Sequence, residues 1–392
     1  VHEADERRCY WKVLIVCSSD YEQTRRGLDE RKSASCSSKR NQIPSQEQVR
    51  KENAMLGPRS RNGLALLALL LASAIVLNAC VGAPAAPTEK PEEKIKVAML
   101  MAVSCDDTGW GTPACEGIRE AAQEYDVEYS ISEKVAIADA EAAVRDYSER
   151  GFDLIIGHGF QYSDPIDIVA DDYPDVMYAI YAGAAEGDNV VPIDPKNHEN
   201  GYLAGIIAGY MTESKVIGAI GGMDIPTVVR VLEGFCQGAQ SVDPEIECLY
   251  AYPGSWDDIQ KGKEAAQAMI DAGADVFFHD ASLVGVGMIQ ATAEAGVYAI
   301  GFGTCQDDAA PEAVLTSAID GIAETMVLTV DMFVSGELQQ IDHMRPGMAD
   351  GIFTLCPYNN IVPQEAREAV DEARSAIING EIVIEEVLVP SP

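Results

Sequence analysis

The chain has 392 residues, enough for two domains with full cores, and a formal charge of −35 at pH 7. That balance excludes a nucleic-acid binder that works by broad phosphate neutralisation. The charge is also uneven. Residues 80–392 hold 15 Lys+Arg against 54 Asp+Glu, a surface that repels anions and favours a neutral or cationic ligand.

Residues 1–54 are polar, with mixed charges and a Ser-rich patch at 33–38. They read as disordered, or as an over-extended reading frame upstream of Met55. Arg59 and Arg61 then precede an uncharged apolar run from Gly63 to Leu77, which ends in Leu77-Asn78-Ala79-Cys80. A positive region, an apolar region and this ending make residues 55–79 a secretory signal with a lipobox-like cleavage site, and Cys80 the acylated residue. The run is shorter than the roughly 18–20 residues that a spanning helix needs. Residues 80–93 read as a Pro/Ala/Glu-rich tether, so the expected location is extracytoplasmic and lipid-anchored.

From residue 94 strands and helices alternate. The pattern predicts strands at 95–101, 127–131, 152–156, 176–181 and 189–193, with helices at 112–125, 136–150 and from 164 to 170. A second series predicts helices at 202–211, 226–240, 258–272 and 284–295, and strands at 216–221, 246–252, 275–279 and 298–303. Strands separated by single helices imply parallel sheets covered on both faces. There are too many for one sheet, and the count divides near residue 200. The fold class is therefore α/β, with two doubly wound parallel-sheet lobes.

In open sheets of this kind ligands lie beyond the carboxyl ends of the strands. The stretch Gly151–Pro165 suits that place: a buried strand runs into Gly157-His158-Gly159, then Phe160, Gln161 and Tyr162. Asp164 reads as the cap of the following helix, with Pro165 in its first turn. His158 and His279 read as satisfied turn residues rather than metal ligands.

Apart from Cys80, the exported part has Cys105, Cys115, Cys236, Cys248, Cys305 and Cys356. In an oxidising compartment they suit disulfides. The short separations favour 105–115 and 236–248, which leaves 305–356. No CxxC spacing, Walker A loop, GxGxxG after a strand, HExxH or G-x-S-x-G occurs. No metal, cofactor or enzymatic activity is expected. Asp106, Asp107 and Asp280 would be the carboxylates of a hydrolase, with nothing specific in their support.

Several segments together resemble the BMP (basic membrane protein, PnrA-like) family of substrate-binding lipoproteins of ABC transporters. They are GFDLIIGHGFQYSDP, YPDV at 173–176, YLAGIIAGYM at 202–211, IGAIGGMDIP, PGSWDD at 253–258, GADVFFHDA, Gly285-Val286-Gly287 and VLTSA at 314–318. The likeness covers about residues 94–390. It implies a type I periplasmic-binding-protein fold whose lobes, 94–196 plus 312–338 and 197–311 plus 339–392, close over a small molecule. Hinge candidates are 194–196, 308–313 and 336–342. The resemblance further implies a monomer that delivers its ligand to an ABC permease and its ATPase. The ligand would be small and neutral, a purine nucleoside or similar heterocycle, or alternatively riboflavin or another small solute; a surface signalling receptor is the other alternative.

Carried over position by position, the resemblance places Asp106, Asp107 and Trp110 in the first loop and Phe160 and Gln161 after the third strand. It places Asp224, Trp256, Asp280 and Gln306 in the second lobe. Asp224 and Asp257 also read as helix caps, and Trp110 and Trp256 as packing residues. The Lys that nucleoside-binding members carry soon after Thr-Ser is absent, since Ser317 is followed by Ala318, Ile319 and Asp320.

Overall fold

The computed structural model describes residues 94–390 with the exception of Thr108. The N-terminal segment 1–54, the signal 55–79, Cys80 and the tether 80–93 lie outside the described residues. Among the described residues, no helix is long and apolar enough to cross a membrane.

The first half is a five-stranded parallel sheet. Its strands are β1 (Lys96–Met101), β2 (Glu128–Ser132), β3 (Leu154–His158), β4 (Met177–Tyr181) and β5 (Val190–Ile193). Their spatial order is β2-β1-β3-β4-β5. Helices α1 (Gly111–Glu124), α2 (Ala140–Glu149) and α3 (Ser163–Ala170) connect them. Alternate residues of each strand face opposite sides. Val97, Met99 and Met101 join one core cluster with Ala114 and Ile118 of α1, whereas Ala98 and Leu100 join another with Val144 of α2 and Ile166 of α3.

The second half repeats this winding. Strands β6 (Val216–Gly221), β7 (Glu247–Ala251), β8 (Val276–Asp280), β9 (Tyr298–Gly303) and β10 (Val314–Ile319) run in the order β7-β6-β8-β9-β10. A short antiparallel strand, β11 (Thr354–Leu355), closes the edge beside β10. The helices here are α4 (His198–Met211), α5 (Pro226–Val242), α6 (Ile259–Asp271), α7 (Ser282–Ala295) and, near the C-terminus, α9 (Gln364–Ile378). Helix α8 (Ile322–Ser335) follows β10 but buries Ile322, Met326 and Val330 in the first half's core.

The chain changes halves after β5, after β10 and between Met344 and Met348. At the first crossing Asp194 N–H donates to Met344 O and Lys196 N–H to Pro346 O, and Ile193 bridges Met344. The hinge expected at 194–196 coincides with this crossing. Those expected at 308–313 and 336–342 do not. The 308–313 segment stays in the second half because β10 pairs with β9 there, so β10 belongs with the second sheet rather than the first lobe. The third crossing falls just beyond 342, since Ile341 and Met344 still pack in the first half.

An ion-pair knot ties the crossings. Arg230, 3 % exposed, donates to both carboxylate oxygens of Asp194, at 2.9 and 2.6 Å, and to Pro195 O and Asn197 Oδ1. Arg345 bonds Asp194 at 3.2 Å and Glu386 of the C-terminal segment at 2.8 Å. Disulfides join Cys105 to Cys115, Cys236 to Cys248 and Cys305 to Cys356. The last of these fastens the loop after β9 to the segment after β11.

Helices α4 and α5 cross almost backbone to backbone, which explains the Gly-studded sequence of α4. A Cβ on Gly205 would fall 1.9 Å from Phe235 O, and one on Gly238 would fall 2.0 Å from Tyr202 O. Helix α4 begins at His198, four residues before its apolar face, because its first turn is polar and spent on the crossing. Asn200, fully buried, donates to Ile319 O at 2.6 Å. Replacing Gly205 with Val should lower unfolding free energy by about 3 kcal/mol through overpacking. Urea denaturation checks this, and a loss below about 0.5 kcal/mol would show that the helices do not touch.

Candidate functional site

Both sheets have a reversal of strand order, between β1 and β3 in the first and between β6 and β8 in the second. Most of the expected site residues sit at or just past the ends of these strands, where the doubly wound topology opens a crevice, while Trp256 follows β7 and Gln306 follows β9.

On the first side, the indole of Trp110 stacks on His158 with ring centroids 4.4 Å apart and meets Tyr181 edge-on at 5.4 Å. His158 ends β3 and Tyr181 ends β4, so two adjacent strand ends carry the cluster. His158 Nε2 is 3.0 Å from Trp110 O. Burial pushes the imidazole down to about 4, so it is neutral at physiological pH and donates its Nε2 proton to that carbonyl. Trp110 remains 37 % exposed and Phe160 70 % exposed. Phe160 heads a short 3-10 turn, Phe160–Tyr162, which holds its ring out toward solvent. Gln161 folds back against Gly159, where φ is 122° and a Cβ would lie 2.5 Å from Gln161 Oε1.

The first-loop carboxylates have local work. Asp107 accepts from the backbone N–H groups of Gly109, Gly111 and Thr112 at 2.9–3.0 Å and so fastens the start of α1. Asp106 is exposed and accepts from the Ser104 hydroxyl, which with a backbone contact lowers its pKa. Three expected caps are corrected. Asp164 lies inside the first turn of α3, which starts at Ser163 without a side-chain cap. Asp258, rather than Asp257, caps α6 by accepting from Gln260 and Lys261. Asp224 does not cap α5, whose N-cap is Ile225.

On the second side, Asp224 is exposed at the end of β6. Trp256 lies flat against Gly222, where a Cβ would come 2.4 Å from the indole; its carbonyl receives Leu283 N–H. Gln306 is committed internally. Its Oε1 accepts from His279 Nε2 at 2.8 Å and from Phe302 N–H at 3.2 Å. Burial lowers His279 to about 4, so the ring is the neutral donor. Gln306 therefore braces the ends of β8 and β9.

Asp280, the last residue of β8, keeps some accessible surface but is recessed, and burial pushes its carboxyl up to about 7. Asp320, one residue beyond β10, is its counterpart. Burial, with the nearby Asp280 charge adding to it, raises Asp320 to about 8, although Ile322 N–H donates to it at 3.3 Å. Tyr181, on the opposite side of the junction, is held well above its ordinary pKa by burial and by Asp320, Asp194 and Asp280. The structure thus brings Trp110, His158 and Tyr181 together and sets Tyr181 within the field of Asp280 and Asp320. Among the described residues, no hydrogen bond, ion pair or ring contact draws Phe160, Asp106, Asp224 or Trp256 into that group. A separate open depression of about 280 Å³ at the end of β7, lined by Tyr252, Pro253, Lys261 and Glu264, shares none of these residues.

A family model described as ABC transporter substrate-binding protein PnrA-like matches residues 94–387. The chain belongs to this family. It is 29 % identical to a purine-binding protein of Brucella abortus, over 74 % of this chain and 83 % of the relative. It is also 29 % identical to a putative ABC transporter glucose-binding protein of Haloferax volcanii, over 74 % of each, and to the transcriptional activator protein Med of Bacillus subtilis, over 70 % of this chain and 86 % of that one. Among solved structures, an ABC transporter solute-binding protein of Aeropyrum pernix shares 25 % identity, with a TM-score of 0.62, over 75 % of this chain and 94 % of that one. The family's two-sheet α/β architecture is the one found here.

The two raised carboxyls carry a signed pH effect. The folded state holds protons that the unfolded chain releases near the ordinary Asp pKa of 3.8. Their contribution therefore lowers stability as pH rises from about 4 to 8 and then levels off. The doubly substituted Asp280→Asn, Asp320→Asn protein should lack this component. Subtracting the two melting-temperature profiles between pH 5 and 8 tests it; parallel profiles would contradict the burial of both acids.

Proposed function

We propose that this protein is an extracytoplasmic solute-binding lipoprotein that captures a small, flat-ringed, nucleoside-like solute between two lobes and delivers it to an ABC permease with its ATPase. Family membership supports the transport role. The observation that carries the site is the meeting of Trp110, His158 and Tyr181 from one set of strand ends with Asp280 and Asp320 from the other. Aromatic faces suit a planar heterocycle, each stacked pair adding about 1 kcal/mol beyond buried area. Carboxylates suit donor groups on the solute, which they accept in charge-assisted bonds.

Phe160, exposed on its rigid turn, is placed to cover the solute when the lobes close, with Gln161 beside it and Asp106, Asp224 and Trp256 at the rim. The lobes in this proposal are 94–193 with 322–344, and 198–319 with 348–390. They move about the three crossings, the first and third of which are tied through Asp194 to Arg230 and Arg345. Lipidation at Cys80 and a monomeric state complete the proposal, and the three disulfides suit an oxidising compartment.

A receptor role is the second reading, favoured by the likeness to the Bacillus activator. The relatives named for purine and glucose differ in cargo, so a riboflavin-like or sugar solute belongs to the same reading of the site.

Mass spectrometry of the small molecule released from the purified protein should reveal a ring-bearing solute. Phe160→Ala should weaken its binding more than tenfold in calorimetry, with little change in the melting of the empty protein. Unchanged affinity would remove Phe160 from the site, and an empty, non-binding protein would contradict the transport role.

A further inference from the structure

The acids at the junction are recessed, yet among the described residues no ion pair neutralises either of them. Asp280 has no side-chain hydrogen bond or ion pair among the described residues, and burial is the sole influence on it. Asp320 is met by backbone N–H groups alone, that of Ile322 and its own, and the charges acting on it, Asp280 and Glu324, are acidic. Strand β9 runs between β8 and β10 and ends in Gly303, at φ 88°, where no side chain fills the gap. A Cβ there would lie 3.6 Å from Asp320 Oδ2.

Tyr181 supplies a second, independent pointer. It is 4 % exposed, and its hydroxyl has no hydrogen-bond partner among the described residues although it feels Asp320, Asp194 and Asp280. Arg230 also acts on it, but its guanidinium is already held bidentately by Asp194. Trp110 stacks one ring face on His158 while remaining 37 % exposed, which leaves indole surface open for a cation.

Resting on the solute-binding reading above, we propose that the solute carries a positive charge, a protonated amine or a quaternary nitrogen, which docks between Asp280 and Asp320 within reach of the Tyr181 hydroxyl. Among the described residues no donor serves Asp280, so a buried carboxylate there calls for a positive partner on the cargo. The empty pair holds a proton near neutral pH instead, and the cation displaces it. The missing positive charge of the site is thus supplied by the cargo. The acidic surface of residues 80–392 adds long-range attraction of the same sign.

Calorimetry with a matched pair of probes, adenosine and 5′-amino-5′-deoxyadenosine, tests this. At pH 8 the amine should bind at least tenfold more tightly than adenosine. Its affinity should fall at least threefold at pH 6, as the pair takes up protons. In Asp320→Asn, and separately in Asp280→Asn, the preference for the amine should shrink below threefold. Equal or tighter binding of adenosine would overturn the charged-cargo proposal alone and leave the nucleoside-like reading standing. Failure of both probes to bind would overturn both. Should either variant fail to fold, the wild-type preference and its pH dependence decide the matter.

Discussion

Two carboxylates without a protein counter-ion, Asp280 and Asp320, set the character of the molecule. Leaving acids in a recessed place is unfavourable unless they are neutralised or paired, and the fold does so at the one edge where its strands all end. Parallel strands give each sheet a single carboxyl-terminal edge, and both sheets wind in the same order. Side chains that end β3 and β4 are therefore gathered at one edge, and those that end β8 and follow β10 at the other. The aromatic cluster comes from one half and the acids from the other, which is the division of labour expected of a site that forms by closure.

The surrounding structure tolerates that local cost because it is tightly packed elsewhere. Helices α4 and α5 meet through glycines at near-contact distance, so Leu203, Ile207, Leu232 and Phe235 are fully buried around the crossing. The Arg230–Asp194 pair fixes the segment after β5 to α5, and Arg345 and Glu386 bind the third crossing and the C-terminal segment to the same carboxylate. Asp194 is thus paired with Arg230 and Arg345 at the first and third crossings, whereas Asp280 at its strand end has no such partner among the described residues. The first arrangement holds a shape, and the second invites a ligand.

Much of the architecture was legible from periodicity, since buried strands of five or six apolar residues alternate with helices of one apolar face. Where the pattern depended on distant partners, it was not. The polar first turn of α4 has no local helix signal, because His198 and Asn200 are buried by contacts such as that of Asn200 with Ile319, 119 residues away. The boundary at 312 split β10 from β9 because sequence separation alone does not say which sheet a strand joins.

The site shows the same division. Trp110 and Asp280 were visible as an aromatic and an acid on loops at strand ends. Asp107 and Gln306 carry the same chemistry, yet they serve backbone amides and His279. Tyr181 ends an ordinary strand and carries no signal of its own, and Asp320 was visible only as marking the place of an absent Lys. Their importance arises from which strand ends face each other.

The central claim is that these two acids are desolvated, unpaired and meant for cargo. A carbon-detected NMR titration of the Asp280 and Asp320 side-chain carboxyls, with and without the co-purified solute, tests it most directly. The account predicts midpoints near neutral pH in the empty protein and ionised carboxylates once the solute is bound. Midpoints near 4 for both acids, unmoved by the solute, would contradict it.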